Sequence, residues 1–88
     1  MDLQDLRNEI DSIDNQLVHL FTARMGIAAR IADYKKINGL PILMPEREHQ
    51  KLEAVCKFAD DEMADYVRML YSTIFELSRD YQTKKIRL

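Results

Sequence analysis

Apolar residues recur at Leu3, Leu6, Ile10, Ile13, Leu17 and Leu20, and again at Ile27, Ile31 and Tyr34. The gaps alternate between three and four, the period of a helix that lays one apolar stripe along another helix. One beat is missing, and Arg24 stands in it. The pattern predicts a single helix over about residues 3–36, roughly 50 Å long at 1.5 Å per residue. A compact chain of 88 residues is only roughly 30 Å across. The helix therefore overhangs any core that its own chain can build, and the apolar stripe runs on past the overhang. A second copy related by a two-fold axis is the simplest cover. The expectation is an intertwined helical homodimer.

Punctuation is concentrated in one place. Gly39, Pro41 and Pro45 fall in the stretch NGLPILMPERE. Pro45 suits the first turn of a second helix, where its missing N–H would have had no partner. That helix is expected over about 45–59, with Leu52, Val55, Cys56 and Ala59 inward. Asp60 and Asp61 offer an N-cap for a third helix over about 61–85. Its stripe is Met63, Val67, Leu70, Ile74, Leu77 and Tyr81. Gly26, inside the first helix, reads as a mark of close helix–helix approach. With two glycines and two prolines in all, hairpins have little to turn on. The fold class is all-α: three helices, one very long, in a single domain over 1–88.

Composition narrows the function classes. Thirteen basic residues against fifteen acidic give a net charge of −2, which argues against broad nucleic-acid binding. The apolar runs are too short for a membrane span. The opening MDLQDLRNEID carries acids and no apolar core, unlike a secretory leader. Cys56 is the single cysteine, so neither a disulfide framework nor a multi-cysteine metal site is expected, and a reducing, cytoplasmic setting is. Glu46-x-x-His49 has the spacing of a di-metal bundle pair, but the further inward glutamates of such a site are not evident. No metal and no cofactor are expected. No serine or cysteine sits in a nucleophile constellation, and no glycine-rich phosphate loop is present.

The charged and polar residues beside the stripes remain. Arg24 occupies a seam position, where a buried charge needs a partner. It is either an arginine that snorkels out or pairs across a dimer, or part of an anion site. Lys35 follows eleven residues later, three turns plus about 20° around, so both point the same way. Ala28, Ile31 and Ala32 between them make a trough about 16 Å long with a cation at each end. Lysine near a helix C-terminus is also ordinary. Arg47 and Glu48 lie in the first turn of helix two, where free N–H groups favour a carboxylate or phosphate. Glu48 alone reads equally as a surface acid opposing the helix dipole. Ser78 and Gln82 stand one turn apart on helix three, at a bundle edge or along a polar cavity. Arg7 is about 25 Å and roughly 100° from Arg24 on the same helix. It reaches that site only from another subunit; otherwise it is a surface arginine beside Asp11.

Taken together, these positions resemble the AroQ-type, all-helical chorismate mutases. LRNEIDSID at Leu6–Asp14 resembles the family's LRxxIDxID opening. LFTAR at Leu20–Arg24, the lysine eleven residues on, LPILMPERE at Leu40–Glu48 and S-x-x-x-Q at Ser78–Gln82 follow in the family's order. The resemblance implies a homodimer with two composite sites for chorismate. In each, Arg7 from the partner subunit and Arg24 bind carboxylates, and Lys35 and Gln82 face the ether oxygen. Arg47 supports the carboxylate end, Glu48 takes the ring hydroxyl, and Ser78 adds a hydrogen bond to a carboxylate. It also implies the conversion of chorismate to prephenate in phenylalanine and tyrosine biosynthesis. One departure is visible: Met44 stands where the family often has an aspartate before the second proline. An isochorismate-pyruvate lyase of the same fold is the nearest alternative, and a non-catalytic helical dimerisation module is a second.

Overall fold

The computed structural model describes residues 2–87; Met1 and Leu88, the ends of the expected 1–88 domain, lie outside the description. Three helices follow one another: α1 over Leu3–Ile37, α2 over Pro45–Cys56 and α3 over Ala64–Ile86. A reciprocal cap opens α1. The Asp2 carboxylate accepts the Asp5 N–H, and the Asp5 carboxylate accepts the Asp2 N–H. Two otherwise unpartnered donors of the first turn are satisfied in this way.

The end of α1 is built around Gly39. Its φ is +67°, the left-handed region that only glycine enters at little cost. This bend lets the Leu40 N–H reach the Lys35 carbonyl at 2.8 Å and the Gly39 N–H reach the Lys36 carbonyl at 3.4 Å. The pair of bonds is a Schellman C-cap, and it turns the chain into the 38–44 loop.

Helix α2 begins at Pro45 with Met44 at the N-cap position, where no side chain accepts a hydrogen bond. It ends at Cys56, three residues before the expected Ala59. There the N–H groups of Lys57, Phe58 and Ala59 switch to carbonyls three residues back, which tightens the chain out of the α-helix. Asp60 then accepts the Met63 N–H at 3.0 Å, so it caps a turn over 61–63. Helix α3 proper starts at Ala64 rather than at residue 61.

Helix α3 packs on both α1 and α2, which do not approach each other. The buried apolar positions are few: Ala28 and Ala32 from α1, Val55 from α2 and Phe75 from α3. Of the positions expected inward on α2, Val55 is buried, and Leu52, Cys56 and Ala59 are half-buried. Small side chains at 28 and 32 let α1 and α3 come close. The large apolar stripe of α1 is not used for this contact. Leu6, Ile10, Ile13, Leu17 and Leu20 face solvent, as do Leu70 and Leu77 of α3. Gly26 is also open, with nothing within 4 Å of where a Cβ would sit, so it marks no close approach within the chain.

The result is a layer of helices rather than a globule. It measures 54 × 29 × 14 Å and has a radius of gyration of 16.1 Å, against about 12 Å for a compact chain of this length. Its accessible surface is 7130 Å², about 1,700 Å² more than a compact monomer of the same mass exposes.

Two substitutions test the local reasoning. Gly39→Ala should destabilise the fold by about 1–2 kcal/mol, the cost of a Cβ in the left-handed region, read as a lower urea midpoint. Met44→Asp should stabilise it by about 1 kcal/mol through the missing helix cap; an unchanged midpoint would show that the α2 terminus is already satisfied.

Candidate active site

A cavity of about 400 Å³ opens among the C-terminal half of α1, the 38–44 loop, the start of α2 and the second half of α3. That is the size of a small-molecule site. Arg24, Ile27, Ala28, Ile31 and Lys35 line it from α1, Ile42 and Met44 from the loop, and Arg47, Glu48 and Lys51 from α2. Phe75, Ser78, Arg79 and Gln82 complete it from α3.

Arg24 lies across two aromatic rings. Its guanidinium carbon is 5.9 Å from the Tyr71 ring centre and 5.7 Å from that of Phe75. Nη1 donates to Ser78 Oγ at 3.1 Å. The charge is thus supported by π-faces and a hydroxyl, with no carboxylate of the described residues against it. Lys35 is held in a comparable way, its Nζ donating to the Ile42 carbonyl at 2.8 Å. The backbone carbonyl of the same residue accepts the capping bond from Leu40. Lys35 therefore ties the loop to α1 at two points. Three donors on the ammonium leave two for other acceptors.

Ser78 and Gln82 are 8% and 7% exposed, the two buried polar side chains of the described residues. They belong to the face that α3 turns inward with Phe75, not to an edge of it. Gln82 makes no side-chain hydrogen bond among the described residues while lining the cavity, so its amide is open to a ligand. Arg47 is exposed at the mouth, in the first turn of α2.

Glu48 is engaged. Arg79 Nη1 lies 2.5 Å from one of its oxygens and 2.7 Å from the other. Arg79 and Lys51 are wall residues that the sequence reading passed over. Lys51 stands one turn after Arg47 on α2, and Arg79 directly follows Ser78. No sequence signal marks Arg79, because its partner Glu48 is thirty-one positions away. Arg7 lies outside this cavity, exposed on the far half of α1. Glu46 and His49 are not part of the large cavity, and no three metal-ligating side chains gather among the described residues.

The electrostatics follow from the wall. Five cations (Arg24, Lys35, Arg47, Lys51 and Arg79) face one carboxylate in a chain whose overall charge is −2. Such a concave, positive surface concentrates anions. Arginine forks suit planar carboxylates, and a lysine supplies a point charge. No helix among the described residues is long and apolar enough to cross a membrane.

Comparison with known proteins gives the family. The chorismate mutase type II family matches the chain over residues 6–83. The T-protein of Haemophilus influenzae is 46% identical over 52 residues, 59% of this chain and 14% of that protein. The chorismate mutase of Methanocaldococcus jannaschii is 36% identical over 58 residues, 62% of this chain and 59% of that protein. A 4-amino-4-deoxychorismate mutase of Streptomyces venezuelae is 32% identical over 75 residues, 83% and 73% of the two chains. The chain thus spans about one-seventh of the first of these relatives. With the family match running through every helix, the chain belongs to the type II, all-helical chorismate mutases.

Proposed function

We propose that the chain rearranges chorismate to prephenate within a homodimer, as an isomerase of phenylalanine and tyrosine biosynthesis that needs no cofactor. The observation that carries this reading is the convergence of Arg24, Lys35 and Gln82 on one cavity whose wall is strongly cationic. The reaction is an intramolecular Claisen rearrangement. The ether C–O bond breaks as a C–C bond forms, and no proton moves. A site for it needs neither a nucleophile nor a poised acid. It must hold a flexible dianion in its folded, reacting shape and stabilise the charge that grows on the ether oxygen.

The residues divide those tasks. Arg24 and Arg47 grip carboxylates, and Ser78 adds a hydrogen bond to one of them. Lys35 and the neutral amide of Gln82 donate to the ether oxygen. Glu48 receives the ring hydroxyl. Arg7 arrives from the partner subunit and completes the carboxylate clamp. The uncovered stripe from Leu6 to Leu20 and the 14 Å thickness of the layer support that second copy. The surface in excess of a compact monomer is of the order that an obligate dimer interface buries on each partner. The single free thiol, Cys56, suits a reducing, cytoplasmic setting.

Two neighbouring readings share the clamp. An isochorismate-pyruvate lyase would release pyruvate. The likeness to the Streptomyces relative raises 4-amino-4-deoxychorismate, the same ether with an amino group in place of the ring hydroxyl. Offering chorismate, isochorismate and 4-amino-4-deoxychorismate in separate assays, and identifying the product of each, separates all three; the decisive assay follows chorismate loss by absorbance. Prephenate is the expected product, and pyruvate or no conversion overturns the reading.

Lys35→Ala should lower kcat/KM for chorismate by at least about 10²-fold, the scale for losing one such donor. Arg7→Ala and Arg24→Ala homodimers should each be nearly inactive, yet mixing them should recover activity, because a hybrid dimer assembles one intact site. No recovery after verified subunit exchange would mean that Arg7 does not act across the interface.

A further inference from the structure

Arg79 is the one cation of the wall that is bonded to a carboxylate. The Glu48–Arg79 pair is about one-third exposed. With Phe75 it separates the main cavity from a second hollow of about 230 Å³ on its far side. Glu48 is the sole carboxylate facing the main cavity. Its charge is matched where it stands, and its two oxygens are fixed by one guanidinium. A carboxylate held so is still a good acceptor, because each oxygen keeps a free lone-pair direction. It is no longer a free anion.

That distinction matters for the group Glu48 receives. A ring hydroxyl donates one hydrogen bond and brings no charge. An ammonium in the same place meets Glu48 and Arg79 together, so attraction and repulsion largely cancel. It also meets the field of the other four cations. A substrate carrying it has lost one unit of the negative charge that this wall attracts. We propose that Arg79 is a specificity-determining positioning residue. By neutralising and orienting Glu48, it makes the cavity favour an enolpyruvyl ether bearing a neutral ring hydroxyl over one bearing an ammonium. This rests on the reading above, in which Glu48 receives the ring substituent.

The test compares kcat/KM for chorismate with kcat/KM for 4-amino-4-deoxychorismate, each measured on the same enzyme sample. Their ratio does not depend on how much of a variant is folded. Wild type should favour chorismate. Arg79→Gln should lower the ratio by at least about tenfold, since it leaves Glu48 free to attract the ammonium. Arg79→Lys should keep most of the preference. With Glu48→Gln already in place, Arg79→Gln should lower the ratio clearly less, because only its direct repulsion of the ammonium is then removed. Equal losses on both substrates in Arg79→Gln would reduce Arg79 to a structural role and overturn this inference alone. A wild type that converts neither substrate would overturn the mutase reading, and this one with it.

Discussion

Arg24 lies across Tyr71 and Phe75 and donates to Ser78, so one charged side chain both joins α1 to α3 and keeps its charge turned to the cavity. An arginine in an apolar stripe is costly unless its donors find acceptors. The chain meets that need with a hydroxyl and two π-faces. Lys35 follows the same logic, held by a loop carbonyl. Both cations are thus fixed in place by neutral partners. Cations fixed by carboxylates would be equally ordered but already compensated. The difference leaves the charge of both side chains uncompensated within the hollow.

The architecture suits the proposed chemistry. A helical layer 14 Å thick has little interior of its own, and its buried residues gather where α3 crosses α1 and α2. Four of the cavity residues, Ala28, Phe75, Ser78 and Gln82, are among the six that are buried. The rigid part of the chain and the proposed reacting site therefore coincide. Donors held in that way need no rearrangement as charge develops, which is the main route by which a protein accelerates a reaction without proton transfer. The 38–44 loop belongs to the same unit, because Gly39 caps α1 and Lys35 grips the loop from both its backbone and its side chain.

Much of this was legible in the sequence. The long helix could be read because its period is sustained over thirty-odd residues, and Pro45 and Asp60 signal the later boundaries to within a few positions. The direction in which faces turn was not legible. A stripe of leucines predicts that something covers it, not what. Here the intrachain contact uses the alanines at 28 and 32, one step around the helix. The end of α2 was misjudged because nothing in KFAD marks the switch to three-residue bonds. Gly26 suggests a contact point, but no other part of the same chain meets it. Most of the proposed site residues could be named from spacing and resemblance. Arg79 could not, since its meaning depends on a partner thirty-one positions away.

The proposed role of this cationic hollow is to recognise a doubly negative ether in its folded, reacting shape. Calorimetric titration with a rigid bicyclic ether dicarboxylate that mimics that shape tests it most directly. Saturable binding at one site per chain is expected, lost in Arg24→Ala and strongly weakened in Lys35→Ala. Absence of binding by the wild-type protein, or binding indifferent to both substitutions, would overturn that role.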